Sequence, residues 1–263
     1  MREFSLYVKK ETRISRMDAR AKVVATAALF VVGMSFNHPL YLLGLLLFEG
    51  WLVAASRSLV NIKRVKVLLG LLFLFSTVLW SLFLREGPVL FKLGPLKVQR
   101  DSALYAVGMG MRLVAMVVAG LVFLSSTMVE EVVFALRKFG LPLPVAFAFS
   151  FAFRMVSQVF RTAGTVKQAQ QIRGLDVDSG GMIQRIKNHI PLLIPIFIYS
   201  IKSVDSLTRA LEARGFRCTR RQTPFIIKKL TFGDVAIAVA SAAVAVAAIV
   251  LRVKGFGEVL SRL

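Results

Sequence analysis

Residues 182–215 read MIQRIKNHIPLLIPIFIYSIKSVDSLTRALEARG. Apolar side chains recur three or four apart at Ile183, Ile186, Ile190, Leu193, Phe197, Ile201, Val204, Leu207 and Leu211, the spacing of one helix face. The stretch predicts a long amphipathic helix over 182–214 with a greasy stripe. Pro191 and Pro195 fall inside it, and each removes an intrahelical hydrogen bond, so a bend is expected there. Its fully apolar part, 190–201, is shorter than the roughly 17–25 residues a bilayer crossing needs. The helix is therefore expected to lie shallowly on the cytoplasmic leaflet or beneath an embedded partner. It closes on Ala213-Arg214-Gly215, where glycine takes up the left-handed conformation of a helix end and leaves an arginine at the tip.

The same ending occurs 41 residues earlier, at Ile172-Arg173-Gly174. It closes a predicted helix over 145–173, which starts apolar and turns amphipathic, with Val156, Val159, Phe160, Ala163 and Val166 on one side. Phe147, Phe149, Phe151 and Phe153 alternate with a strand-like period of two, but an isolated strand beside lipid leaves backbone groups unpaired, which favours helix. A third helix is expected over 128–139, opened by a Thr127–Glu130 capping box and ended by Gly140, Pro142 and Pro144. One arginine at a helix C-terminus is satisfied by the helix dipole alone. Two such tips in one basic segment suggest paired arms that seat on two similar surfaces.

Around this segment the chain is a membrane protein. Of its 263 residues 56% are hydrophobic and the mean hydropathy is +0.69, against the roughly 45–50% apolar content of soluble domains. Spans are expected at about 20–36, 40–56, 67–84, 104–125 and 233–251, with a tight reversal at Asn37-His38-Pro39. Reading 141–153 and 190–201 as spans too would make seven. With the N-terminus inside, 27 of the 35 Lys and Arg residues fall on the cytoplasmic side and seven outside, as the positive-inside rule requires. The basic lead before the first span has no cleavage region behind it and reads as part of a retained anchor. The net charge of +21 is sorted between loops, which points to lipid headgroups or acidic protein patches and away from nucleic acid.

Catalytic chemistry finds little support. One cysteine, Cys218, and two histidines, His38 and His189, do not make a disulfide framework or a four-ligand metal site. No Gly-Lys pair exists to build a phosphate-cradling loop. Asp178-Ser179-Gly180-Gly181-Met182 is similar to part of the signature loop of ABC ATPases, but without the other nucleotide elements it reads as a helix-breaking loop. Glu49 and Arg112 fall within expected spans at comparable depth, and charges at such depth usually find partners, so an intramembrane ion pair is expected. Ala106 and Gly110 form a small-xxx-small step that admits close helix contact.

The chain resembles the transmembrane T component of energy-coupling factor transporters, the family that includes cobalt-transport permeases. The resemblance rests on the basic lead Arg16-Met17-Asp18-Ala19-Arg20-Ala21-Lys22, the segment from Asp205 to Phe216 with its Ala213-Arg214-Gly215, and the earlier Arg173-Gly174, where Ile172 replaces the commoner Ala. It implies an all-α integral membrane protein without cofactor or catalytic residues, in the cell membrane with a cytoplasmic N-terminus. It implies that Arg173 and Arg214 each enter a groove on one of two ABC-type ATPase subunits. Ile190, Leu193, Phe197 and Ile201 would face a membrane-embedded S component that captures the substrate, a vitamin or transition-metal ion. Three regions are expected: 1–125 with four spans, 126–232 with the coupling helices, and 233–263 with the last span. The rival is a conventional importer permease that forms the substrate path itself.

Overall fold

The computed structural model describes Ile14 and residues 17–56, 58–84, 89–93, 96–176, 179–216 and 231–255. Arg16, Asp178 and Cys218 lie outside these residues. The elements run α1 (Ala19–Ser35), α2 (Pro39–Ala55), α3 (Leu59–Phe83), β1 (Val89–Leu93), β2 (Leu96–Gln99), α4 (Arg100–Ser126), α5 (Val129–Lys138), α6 (Leu143–Ile172), α7 (Met182–Ala213) and α8 (Phe232–Val253). The fold is an all-α membrane architecture. Its β component among the described residues is one small antiparallel hairpin, with Val89 opposite Gln99 and Leu93 opposite Leu96, in what the sequence pattern presents as a loop.

Local chemistry sets the helix starts. Asp18 caps α1, its carboxylate accepting from the Arg20 N–H at 2.9 Å. At the α1–α2 reversal His38 Nδ1 accepts from the Leu40 N–H at 3.3 Å and Pro39 occupies the first turn, where its missing N–H costs nothing. Helix α8 opens on a reciprocal capping box between Thr231 and Asp234. The box expected at Thr127 and Glu130 does not form. Thr127 is instead the C-cap of α4, its hydroxyl buried 3.5 Å from Ser126 Oγ, and Met128 takes the N-cap position of α5 without a side-chain bond. A two-residue junction between helices leaves that hydroxyl in the seam, out of reach of the next helix's N–H groups.

By length and composition α3, α4, α6, α7 and α8 suffice to cross a bilayer. Three of the five expected spans are among them; the first two are not, and α6 and α7 are added. Helices α1 and α2 have 17 residues each, at the lower limit for crossing. Helices α6 and α7 have 30 and 32 residues, and each contains an 18-residue window apolar enough to cross. Their short apolar cores are extended by weakly polar neighbours, which a search for uninterrupted apolar runs discards. Helix α7 continues through both Pro191 and Pro195.

The chain divides into two compact units, Met1–Gly140 with Lys228–Leu263, and Leu141–Ile227. Helix α5, grouped by sequence order with 126–232, falls in the first because it packs on α1. In that unit α4 packs against α1, α2 and α3, while α8 lies on α1. Leu42 and Leu45 meet Ala115, and Val53 with Leu69 meets Val118 and Val122. The outward faces of α3 stay apolar and exposed at Val67, Leu71, Leu74, Phe75 and Phe83, which suits lipid.

Small residues on α4 make this packing possible. Ala106 is fully buried, and a Cβ on Gly110 would lie 2.7 Å from Thr77 Oγ1 and 2.9 Å from the Phe73 ring, so the Ala106–Gly110 step does mark a close contact. Gly108 is tighter still: a Cβ there would strike the Asn37 carbonyl oxygen. Gly108→Ala should therefore lower the melting temperature of the detergent-solubilised protein, a cost of about 1–3 kcal/mol. Gly44→Ala, with open space around it, should leave that temperature unchanged or raise it; equal effects of the two substitutions contradict this packing.

Candidate functional site

The two Arg-Gly pairs end their helices with the same geometry. At α6, Arg173 is the C-cap (φ −79°, ψ 5°) and Gly174 is left-handed at φ +88°. The Gly174 N–H donates to Gln171 O and the Leu175 N–H to Gln170 O, both at 3.0 Å. At α7, Arg214 is the C-cap (φ −88°, ψ 4°) and Gly215 has φ +70°. There the Gly215 N–H donates to Glu212 O at 2.9 Å and the Phe216 N–H to Leu211 O at 3.0 Å. Each is a Schellman cap, in which backbone N–H groups satisfy the orphan carbonyls of the last turn. The guanidinium is consequently not required at its own helix end. Arg173 and Arg214 are exposed, as are Ile172 and Ala213. Among the described residues neither arginine has an ion pair or a side-chain hydrogen bond.

Helices α6 and α7 form a two-helix unit by themselves. Gln158 Nε2 donates to Ser203 Oγ at 3.0 Å, and the Phe147 and Phe216 rings stack obliquely at 4.4 Å between centroids. Residues low in α6 thus meet residues high in α7, which makes the pair antiparallel. Its consequence for the tips is decisive. Arg214, two residues before the Phe216 that stacks on Phe147, closes α7 near the start of α6, whereas Arg173 lies at the end of α6, 26 residues beyond Phe147. At 1.5 Å per residue the two arginines sit at opposite ends of the hairpin, about 40 Å apart along its axis. A single small surface patch does not engage both.

The faces of α7 separate cleanly. Leu192 is 8% exposed, and Ile196, Ser200, Ser203, Leu207 and Leu211 are half-buried, one stripe three or four apart. Ile190, Leu193, Phe197 and Ile201 form the adjacent stripe and are exposed, Phe197 by 67%. Ile183, Ile186 and Val204 continue it. The sequence pattern merges these stripes into one face; the seam with α6 takes its lower end, Leu207 and Leu211. On α6 Val159, Ala163 and Val166 are half-buried, while Val156 and Phe160 remain exposed. Gln158, Ser203 and Phe216 are the seam residues that period-counting misses. Phe216 had a signal, because an apolar residue one place beyond a cap glycine commonly folds back onto a helix.

Glu49 and Arg112 do not form the expected pair. Arg112 donates through Nε to Gly33 O at 3.0 Å, through a terminal nitrogen to Phe36 O at 2.8 Å and to Asn37 Oδ1, with Met109 Sδ at 3.2 Å. It satisfies the last carbonyls of α1. Arg252 of α8 adds a 3.4 Å contact to Met34 O, so two cations finish that helix end. Glu49 is 1% exposed, and its Oε2 has no hydrogen-bond partner among the described residues. It sits between Leu45, packed with Ala115, and Val53, packed with Val118 and Val122. The expectation of equal depth fails because α4 begins at Arg100, before the apolar run does, so Arg112 reaches the α1–α2 turn and not the middle of α2.

Among the described residues no three His, Cys, Asp or Glu side chains gather as a metal site would require. A family model described as cobalt transport protein matches residues 10–225. Relatives named energy-coupling factor transporter transmembrane protein align along nearly all or most of the chain. The protein of Thermosediminibacter oceani is 25% identical over 96% of this chain and 99% of its own length. That of Listeria monocytogenes is 29% identical over 94% and 96%, and that of Streptococcus equi is 30% identical over 80% and 82%. With the matched region spanning both arginine tips and the helices that carry them, the chain belongs to the cobalt transport protein family.

Proposed function

We propose that this chain is the transmembrane coupling subunit of an energy-coupling factor transporter, an ATP-driven importer of a micronutrient. It is the mechanical link and not the catalyst, since ATP hydrolysis lies with its partners. Arg173 and Arg214 each seat on one of two ABC-type ATPase subunits on the cytoplasmic side, where the N-terminus also lies, so α6 and α7 lie along the membrane surface and do not cross it, long and apolar though they are. The exposed stripe Ile190, Leu193, Phe197 and Ile201 carries the membrane-embedded S component. The substrate is a vitamin or a transition-metal ion chosen by that S component.

The observation that carries this reading is the pair of like tips at opposite ends of one hairpin. Two surfaces of the same kind, some distance apart, match a dimer of ATPases. A guanidinium offers two parallel N–H donors to a carboxylate, a geometry lysine does not reproduce. The apolar stripe between the tips offers no fixed polar registry, so a cargo-binding subunit can tilt or slide over it. A change in the spacing of the two ATPase grooves on ATP binding then rotates the hairpin and the subunit resting on it.

Substituting alanine for Arg173 or for Arg214 should each remove charge-assisted hydrogen bonds worth roughly 1.5–3 kcal/mol apiece. Retention of the ATPase chains on the purified subunit should fall by about ten- to a hundredfold, with membrane insertion intact. Arginine-to-lysine changes should recover only part of this. Undiminished ATPase retention in both alanine variants contradicts the assignment. Phe197→Asp should release the S component while leaving ATPase retention unchanged. Native mass spectrometry of the intact complex should find one copy of this chain with two ATPase chains and one small membrane subunit; two copies of this chain with no such subunit would instead favour a substrate-conducting permease.

A further inference from the structure

The basic lead before α1 is commonly accounted for by topology alone, yet its cations are built into the fold. Lys22 is 5% exposed, and its Nζ donates to Ser126 O at 2.8 Å, one of the orphan carbonyls at the end of α4. The same nitrogen lies 3.6 Å from Glu131 Oε2 in the first turn of α5. Arg20 lies over the Phe134 ring at 5.4 Å from its centroid. Asp18, 2% exposed, caps the helix that presents both cations. One turn of α1 thereby holds the C-terminus of α4 and the N-terminus of α5 together. A lysine with so little exposure, placed between a helix C-terminus and a carboxylate, is held by charge at both ends.

The position of α5 in the chain gives this junction a role. The α6–α7 unit is joined to the rest of the chain at two places. After α7 the connection to α8 runs through 18 residues, 214–231. Before α6 it is only four, 139–142, including Gly140 at φ +108° and Pro142. Four residues span at most about 14 Å, so displacement of α6 pulls on α5 with little slack.

We propose that Lys22 and Glu131, supported by Arg20 on Phe134, are positioning residues that make α5 the fixed root of the coupling hairpin. Resting on the function proposed above, the inference is that force applied at Arg173 and Arg214 moves the hairpin relative to the membrane helices only while this root holds. When it is released, α5 travels with the hairpin and the ATPase cycle loses its purchase.

The test is a pair of spin labels within the first unit, at Leu136→Cys on α5 and Phe83→Cys at the far end of α3, both exposed, in a Cys218→Ser background. The complex with its ATPases and S component is measured by pulsed electron resonance with and without ATP plus vanadate. With the native pair the label separation should not change with nucleotide. In Glu131→Gln it should shift by about one helical turn, ~5 Å, or broaden equivalently, with ATPase retention unchanged. The conservative variant Glu131→Asp, which keeps the carboxylate facing Lys22 but not the side-chain volume, should retain the native behaviour, which a loss of packing alone would not. Should Glu131→Gln fail to accumulate, Phe134→Leu, which removes the ring that Arg20 and Lys138 lie over, takes its place with the same expected shift. A nucleotide-independent separation in the variants overturns the proposal. Absence of ATPase chains from the native complex would instead overturn the functional reading on which it rests.

Discussion

The last carbonyls of a helix must find donors, and the way each helix here finds them sorts structural cations from available ones. Where α1 ends, Arg112 and Arg252 reach over from α4 and α8. Where α4 ends, Lys22 reaches over from α1. These cations are absorbed by the fold, because in a dry or lipid setting an unpaired carbonyl costs more than an ordered side chain. Helices α6 and α7 solve the same problem locally with a left-handed glycine and two backbone bonds. An arginine at such a cap is not needed by its own helix end. The contrast between borrowed caps and glycine caps connects the fold to the proposed activity.

That contrast also explains why one chain needs two architectures. The first unit is held by close contact of α4 with its neighbours at Ala106, Gly108 and Gly110 and by ionic stitches at helix ends. Such packing fixes positions and leaves an apolar exterior for lipid. The second unit is two helices with a narrow seam, one buried leucine on α7 and a Gln158–Ser203 hydrogen bond at mid-length. Most of its apolar side chains face outward. An exposed apolar stripe of this length on a hairpin so sparingly packed against itself is a surface for association.

Much of this was legible in the residues. Glycine after arginine at the end of an amphipathic period foretold both tips, and the helix bounds of α5, α6 and α7 fall within about two residues of those read from the pattern. A left-handed glycine also ends α8, Gly255 at φ +78° after Lys254, so the motif is specific only through its pairing and its arginine. Depth and partnership were not legible. Arg112 and Glu49 looked alike on a hydropathy scale, yet one caps a helix at a turn and the other sits in a packed seam, a difference set by the register between α2 and α4. Thr127 carried a capping signal that the short α4–α5 junction cancelled, while Thr231 and Asp234 formed the box that went unread. The separation of the tips by the hairpin's length depends on an antiparallel contact, which no periodicity along one helix encodes.

The most direct measurement of the central claim is crosslinking from both tips of a single copy. In a Cys218→Ser background, cysteines at Ile172 and Ala213, adjacent to the two arginines, are joined by a short bifunctional reagent to the assembled ATPases from the inner side of sealed vesicles. One covalent species containing this chain and two ATPase chains, one from each tip, is the predicted result. Crosslinks from only one tip, two tips reaching the same ATPase chain, or labelling of either position from the outer side would contradict the account.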